Sequence, residues 1–141
     1  MSSNHKGYRG YVFSRPFDTH RAPQHIQNLV IRDYAQRRKL HYLLSAAEYA
    51  MPDCHLVLEQ VLAELPSLDG VILYSMFMLP SDATARNIVY RRVLEAGGTL
   101  HAAVEGFVLE REAGIERWET VLGTAAICRT LDYPEIERWL A

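Results

Sequence analysis

The sequence predicts an α/β domain, a three-layer sandwich built on a mainly parallel sheet. Three observations carry this. Strand-like and helix-like patterns alternate along the chain as β-α-β-α-β-α-β-α, at the spacing of parallel strands joined by helical crossovers. The run 70–75, Gly-Val-Ile-Leu-Tyr-Ser, is apolar without alternation, as expected of a strand covered on both faces. The 141 residues are 49% hydrophobic and 23% charged, enough for one core and one domain spanning 1–141.

The elements follow in order. Residues 8–13 read as a strand bounded by Gly7 and Pro16, after a polar tail at 1–6 expected to be flexible. Residues 22–39 read as a helix: Pro23 suits a first turn, and Ile26, Leu29, Val30 and Tyr34 keep helical spacing. Between these lies the loop 15–21, expected to be flexible. Residues 40–47 form a second strand. Asp53 is placed to cap a second helix with Leu56, Val57, Val61 and Leu65 on one face, ended by Pro66. The third strand is 70–75. Ser81 or Asp82 opens a third helix carrying Ile88, Val89, Val93 and Leu94, closed by Gly97 and Gly98. A fourth strand covers 99–104. The remainder, 107–141, reads as a helical part, with one helix around Ile115, Trp118, Val121, Leu122 and Ala125 and a short one at 134–140. The strand order expected is about 2-1-3-4.

Composition also excludes classes of function. No run approaches the roughly 20 apolar residues of a membrane span, and the N-terminus lacks the apolar stretch of a signal peptide. Cys54 and Cys128 are too few for a disulfide framework, which points to a reducing cytoplasm. The net charge of −2 hides an asymmetry. Residues 1–41 carry eight Lys/Arg against Asp18 and Asp33, hence +6; the remainder carries seven against fifteen acids, hence −8. A basic N-terminal third points to an anionic ligand near it, although Arg37, Arg38 and Lys39 equally suit the end of a helix.

In an open parallel sheet, ligands bind outside the carboxyl ends of the strands. That rule selects Ser14, Arg15, Asp18, His20 and Arg21 after strand one, with Gln24, Gln27 and Asn28 on the following helix. It selects Glu48 and Tyr49 after strand two, Tyr74 and Ser75 after strand three, and Glu105 after strand four. Arg15 and Arg21 flank a helix start and form a candidate phosphate or carboxylate clamp, or else remain solvated surface charges. Glu48 and Glu105 are candidate proton-transfer groups, or structural partners of the arginines. In the order 2-1-3-4 the two stand roughly 14 Å apart, too far to act on one bond. Glu48, nearer Ser14 and the arginines, is therefore taken as the active carboxylate, kept ionised by them. Ser14 is the second catalytic candidate, and Arg15, Arg21, Gln24, Asn28, Tyr74, Ser75 and Glu105 are the substrate-binding set. Cys54, at a helix start, is either a reactive or a structural thiol. No Gly-rich phosphate loop follows a strand, and the six histidines have no metal-ligand spacing, so no cofactor and no metal are expected. Met76, Phe77, Met78 and Leu79 follow strand three and are apolar enough to pack under the 15–21 loop or to form a symmetric dimer; the dimer is preferred, with Trp118 and Trp139 extending it.

Two resemblances rest on these residues. Gln27-Asn28-Leu29-Val30-Ile31-Arg32-Asp33-Tyr34-Ala35, Asp69-Gly70-Val71-Ile72-Leu73-Tyr74-Ser75 and Gly98-Thr99-Leu100-His101-Ala102-Ala103-Val104-Glu105-Gly106 resemble the catalytic domain of serine recombinases, the resolvase class. That resemblance implies a resolvase-like fold, with the family's nucleophilic serine on Ser14 and its helix glutamine on Gln27. The family's Asp-Arg-Leu-x-Arg after strand three is here Phe77-Met78-Leu79-Pro80-Ser81, without its arginines. Gly7-Tyr8-Arg9-Gly10-Tyr11, Ser14-Arg15-Pro16-Phe17, Arg21-Ala22-Pro23-Gln24-His25, Leu44-Ser45-Ala46-Ala47-Glu48-Tyr49-Ala50-Met51 and Tyr74-Ser75-Met76-Phe77-Met78-Leu79-Pro80 resemble the sporadic carbohydrate cluster proteins of bacterial surface-polysaccharide loci. That second resemblance implies a carbohydrate pathway.

The resulting expectation is a cytoplasmic enzyme acting on a sugar or nucleotide-sugar intermediate of surface-glycan biosynthesis. Its partners would be a sugar or sugar-phosphate ligand and a second copy of the chain. The alternatives are a non-catalytic dimeric binding or scaffold subunit of that pathway and a DNA-acting recombinase-like remnant. A pI near 6.3 speaks against tight nucleic-acid binding.

Overall fold

The computed structural model describes residues 6–15, 22–51 and 53–130. Five strands form one sheet: β1 (Tyr8–Phe13), β2 (Tyr42–Glu48), β3 (Gly70–Leu73), β4 (Thr99–Ala102) and β5 (Phe107–Leu109). Four helices connect or follow them: α1 (Gln24–Arg37), α2 (Leu56–Ala63), α3 (Ala83–Glu95) and α4 (Ile115–Thr130). The order is β2-β1-β3-β4-β5. The first four strands are mutually parallel, and β5 runs antiparallel to β4.

This order dictates the layers. The chain steps from β1 to β2 in one direction, then crosses back over β1 to reach β3 and continues to β4. Right-handed crossovers then require α1 on one face and α2 and α3 on the other. The strands obey this with period-two alternation. Tyr11, Phe13, Val71, Leu73, Leu100 and Ala102 join the larger core beneath α2, α3 and α4. Val12 and Ile72 meet Ile31, Tyr34 and Ala35 of α1 in the smaller one. The reversal of direction falls between β1 and β3, so the carboxyl ends of β1 and its neighbours are the natural binding edge.

Three local features shape the sheet and its flanking helix. Tyr8 pairs with Tyr42 and Gly10 with Ser45, so β2 carries an extra residue against β1 and bulges, leaving Leu44 72% exposed. Gly10 admits this close approach, since a Cβ there would stand 2.1 Å from Ser45 Oγ. Asp82 caps α3 by accepting from the N–H of Ala85 at 3.0 Å.

The expectations need four corrections. The 107–141 part is not all helical, because Phe107–Leu109 adds an antiparallel edge strand. Three residues are too short a run for periodicity to register. Asp53 does not cap α2; it stands before the helix with φ of +56°, and His55 occupies the cap position without a side-chain bond. Met76, Met78 and Leu79 are buried within this chain, in a 3₁₀ turn (Met76–Met78) against the larger core, so they supply no dimer surface. Trp118 is likewise 1% exposed, stacked edge-on against Tyr90 and Phe107. The 134–140 helix, Trp139, the 1–5 tail and the 16–21 loop lie outside the described residues.

Candidate functional site

Glu48 ends β2 opposite Phe13, the last residue of β1. Its carboxylate faces inward and is 2% exposed. The Tyr11 hydroxyl donates to Oε1 at 2.6 Å, and the N–H of Leu58 donates to the same oxygen at 3.1 Å. Oε2 accepts from the N–H groups of Val57 at 3.0 Å and Tyr49 at 3.1 Å, with the Cys54 thiol at 3.6 Å. Glu48 thus caps α2 from outside the helix, doing what the His55 position leaves undone. Burial pushes its acidity toward a higher pKa, but the Tyr11 hydroxyl and the backbone N–H groups of Val57, Leu58 and Tyr49 outweigh that and hold it below the usual carboxylate range. Arg15, expected to help keep it ionised, is not among the groups that lower it. Burial and the adjacent carboxylate raise the Tyr11 hydroxyl far above its ordinary value, so it stays a donor.

Ser14 follows β1 and is exposed, its hydroxyl donating to the Glu48 carbonyl at 2.9 Å. Arg15 lies over the Phe13 ring, 4.1 Å from its centroid, and donates to the carbonyls of Tyr49 at 2.7 Å and Cys54 at 2.9 Å. Those two bonds tie the β2–α2 connection to the end of β1. They use two of five guanidinium N–H groups, and among the described residues no hydrogen bond takes the others. Arg21, with Asp18 and His20, lies outside the described residues.

Gln27 is buried and works as a strand substitute. Its amide oxygen accepts from the N–H of Phe13, and its amide nitrogen donates to the Phe13 carbonyl, both at 2.9 Å; a further bond reaches the Ala22 carbonyl at 2.7 Å. The start of α1 is thereby locked to the end of β1. Pro23 gives α1 no side-chain cap; its carbonyl takes the Ile26 and Gln27 N–H groups, and among the described residues no side chain caps the N–H groups before them. Gln24 is exposed on that turn. Asn28 is turned toward β2, accepting from the Tyr42 hydroxyl at 3.5 Å.

A second group of candidates stands across the sheet. The Ser75 hydroxyl donates to Glu105 Oε2 at 2.7 Å, and the N–H of Met76 donates to Oε1 at 3.0 Å. Ser75 also accepts from the N–H of Phe77, opening the 3₁₀ turn. Tyr74 is half-buried between the two cores. The strand order therefore brings Ser14, Arg15 and Glu48 together and joins Ser75 to Glu105, as two separate clusters. Among the described residues, no group of His, Cys, Asp and Glu side chains is placed to hold a metal ion.

Sequence reasoning missed two polar clusters. His101, 4% exposed, shares hydrogen bonds with the Tyr34 hydroxyl through Nδ1 at 2.7 Å and with Thr99 Oγ1 through Nε2 at 2.9 Å, one ring nitrogen donating and the other accepting. Burial lowers its pKa to about 4, with Arg38 adding to the effect. Arg86 grips Glu119 with two bonds of 2.9 Å, and the Tyr90 hydroxyl donates to the same carboxylate at 2.6 Å. The one available signal for the first was the period-two spacing of Thr99 and His101; for the second there was none.

The TP901-1 integrase N-terminal catalytic domain superposes with a TM-score of 0.59 at 15% identity, covering 94% of this chain and 98% of that domain. The fold is that of a resolvase catalytic domain. A resolvase family site-specific recombinase from Streptococcus pneumoniae agrees, with a TM-score of 0.57 at 12% identity over 86% of this chain and 95% of its own. No protein-family model matches the sequence, and no curated protein does. In this resolvase-like sheet, the order 2-1-3-4 stands as expected, with β5 added at the β4 edge. Among the described residues, no helix is long and apolar enough to cross a membrane.

Proposed function

We propose that this resolvase-like domain binds the anionic group of a sugar phosphate or nucleotide sugar at the carboxyl end of β1, serving bacterial surface-glycan biosynthesis. The observation that carries the reading is the Ser14–Arg15 pair. It is held on the backbone of the β2–α2 connection, with guanidinium donors that no other described residue takes, beside a start of α1 that has no side-chain cap among the described residues. Guanidinium, hydroxyl and helix N–H groups together suit a phosphate. The pathway rests on the sequence resemblance to sporadic carbohydrate cluster proteins alone, which no family-model match accompanies. In this reading Ser14 and Arg15 meet the ligand, Arg21 and Gln24 extend the grip, and Glu48 keeps the loop in place from behind. The Ser75–Glu105 pair, on the far side of the switch point, orients the remainder of the ligand. The engaged Glu48 carboxylate fits a binding role better than proton transfer, since a base needs a free lone pair toward its substrate.

The test is a thermal-shift and calorimetric series with nucleotide sugars and hexose phosphates. A ligand that binds only the folded chain raises its melting temperature. Arg15→Ala should weaken that ligand by roughly 1.5–3 kcal/mol, as for a charge-assisted hydrogen bond. Failure of every phosphorylated sugar to shift the transition overturns the reading.

The solved neighbours favour a second reading, a DNA-acting protein. They are an integrase domain and a site-specific recombinase. Against it stands the apolar 76–80 segment, which carries no arginine and is mostly buried. A covalent Ser14–DNA adduct surviving a denaturing gel, lost in Ser14→Ala, would establish it.

A further inference from the structure

We propose that the groove between α2 and α3 is a second binding site, for a small amphiphilic cation: an apolar body carrying a protonated amine. The groove encloses about 410 Å³, the size of a small-ligand pocket. Leu58, Leu62 and Val89 form its floor, each under 5% exposed over the residue as a whole, and Ile88 stands on its lip at 55% exposure. The apolar surface that a ligand would take out of water is chiefly that of Ile88, with the half-buried Pro80 and Ala85 beside it.

The rim determines the sign of charge. Asp53, Glu59 and Asp82 line the groove, and no lysine does. Glu59 is already paired with Arg92 and Asp82 caps Ala85, but Asp53 has no ion pair or hydrogen bond among the described residues. Of the α3 guanidiniums, Arg92 is taken by Glu59, and Arg86 is engaged by Glu119 and by the carbonyls of Pro80 and Ser81. His55 also borders the groove, with Nε2 3.3 Å from the Met78 carbonyl. A carbonyl only accepts, so Nε2 is the donor in this bond. The rim thus offers acceptors and unbalanced negative charge above an apolar floor. A cation with an apolar body satisfies both; an anion satisfies neither. The site is independent of the phosphate site proposed at β1.

The experiment titrates the isotope-labelled full chain with 2-phenylethylammonium, 2-phenylethanol and 3-phenylpropionate, following backbone amides by NMR. The amine should shift amides of 55–62 and 82–89 saturably. The alcohol should bind there roughly three- to tenfold more weakly, as one partly exposed charge pair allows, and the carboxylate should leave those amides unmoved. Asp53→Asn keeps a residue type suited to φ of +56° and should bring the amine down toward the alcohol. Ile88→Lys, at an exposed position, should abolish amine binding with the melting temperature held. The proposal is overturned by carboxylate binding as tight as the amine's, by shifts confined elsewhere, by no saturable amine binding, or by both variants retaining full amine affinity.

Discussion

At the scale of the residue, Glu48 illustrates how a carboxylate read as chemistry becomes architecture. Its four oxygen-bound donors come from β1, from its own loop and from α2. Glu48→Gln would turn one acceptor into a donor facing N–H groups. The expected loss is about 3 kcal/mol, that of a broken buried charged network, measured by urea unfolding at neutral pH. Tyr11→Phe should cost less, about 1.5–3 kcal/mol, because the three backbone donors remain. An unchanged unfolding midpoint in Glu48→Gln would return that carboxylate to the list of reactive candidates. His101 gives a pH signature of definite sign. Its folded pKa is about 4 against roughly 6.5 unfolded, so the unfolded chain binds the extra proton as pH falls. Its contribution is complete above pH 6.5 and declines toward pH 4; at pH 4.5 the loss should be about 2–3 kcal/mol. Urea unfolding from pH 7 to 4.5 checks it, and His101→Gln should flatten that segment. Glu48 and Glu119, both lowered, add their own losses at still lower pH.

At the scale of the element, the α3–α4 contact combines the Arg86–Glu119 ion pair with the Tyr90–Trp118 ring contact. Arg86 joins Glu119 and also donates to the carbonyls of Pro80 and Ser81 just before α3. Its side chain is 11% exposed and that of Glu119 is 23%. Arg86→Ala should therefore cost more than Glu119→Gln, about 3 against 2 kcal/mol. Hydrogen exchange should show α4 amides losing protection before those of β1 and β3. Equal protection of all elements in Arg86→Ala would mean that Trp118, not the ion pair, holds α4. The apolar spacing that marks these helices was legible in the sequence because it depends only on neighbours three and four positions away. The Arg86–Glu119 pair was not, because 33 residues separate its members and nothing local distinguishes them from solvated charges.

At the scale of the whole molecule, the 76–79 segment links fold and assembly. Met76 and Met78 are fully buried inside the chain. Met76→Ala or Met78→Ala should each cost about 2–5 kcal/mol as core truncations and leave the oligomeric state unchanged. Light scattering on the wild type and both variants decides the matter; a loss of dimer in either would show that these side chains contribute to an interface after all.

The sequence by itself determined the class of fold and its four parallel strands, while their order accompanied the resemblance to resolvase catalytic domains. Periodicity, helix punctuation and the handedness of crossovers are local or combinatorial rules that act before any specific side chain meets another. It also selected the strand ends where polar groups gather. Only the tertiary structure decided what those groups do. Whether Glu48 faces a ligand or the N–H groups of α2 depends on how the 49–55 connection returns over the sheet, as does whether Arg15 grips carbonyls. The burial of His101 depends on where α1 crosses β4. These outcomes rest on contacts between residues far apart in the chain, each fixed by which donors remain unpaired once the backbone has packed.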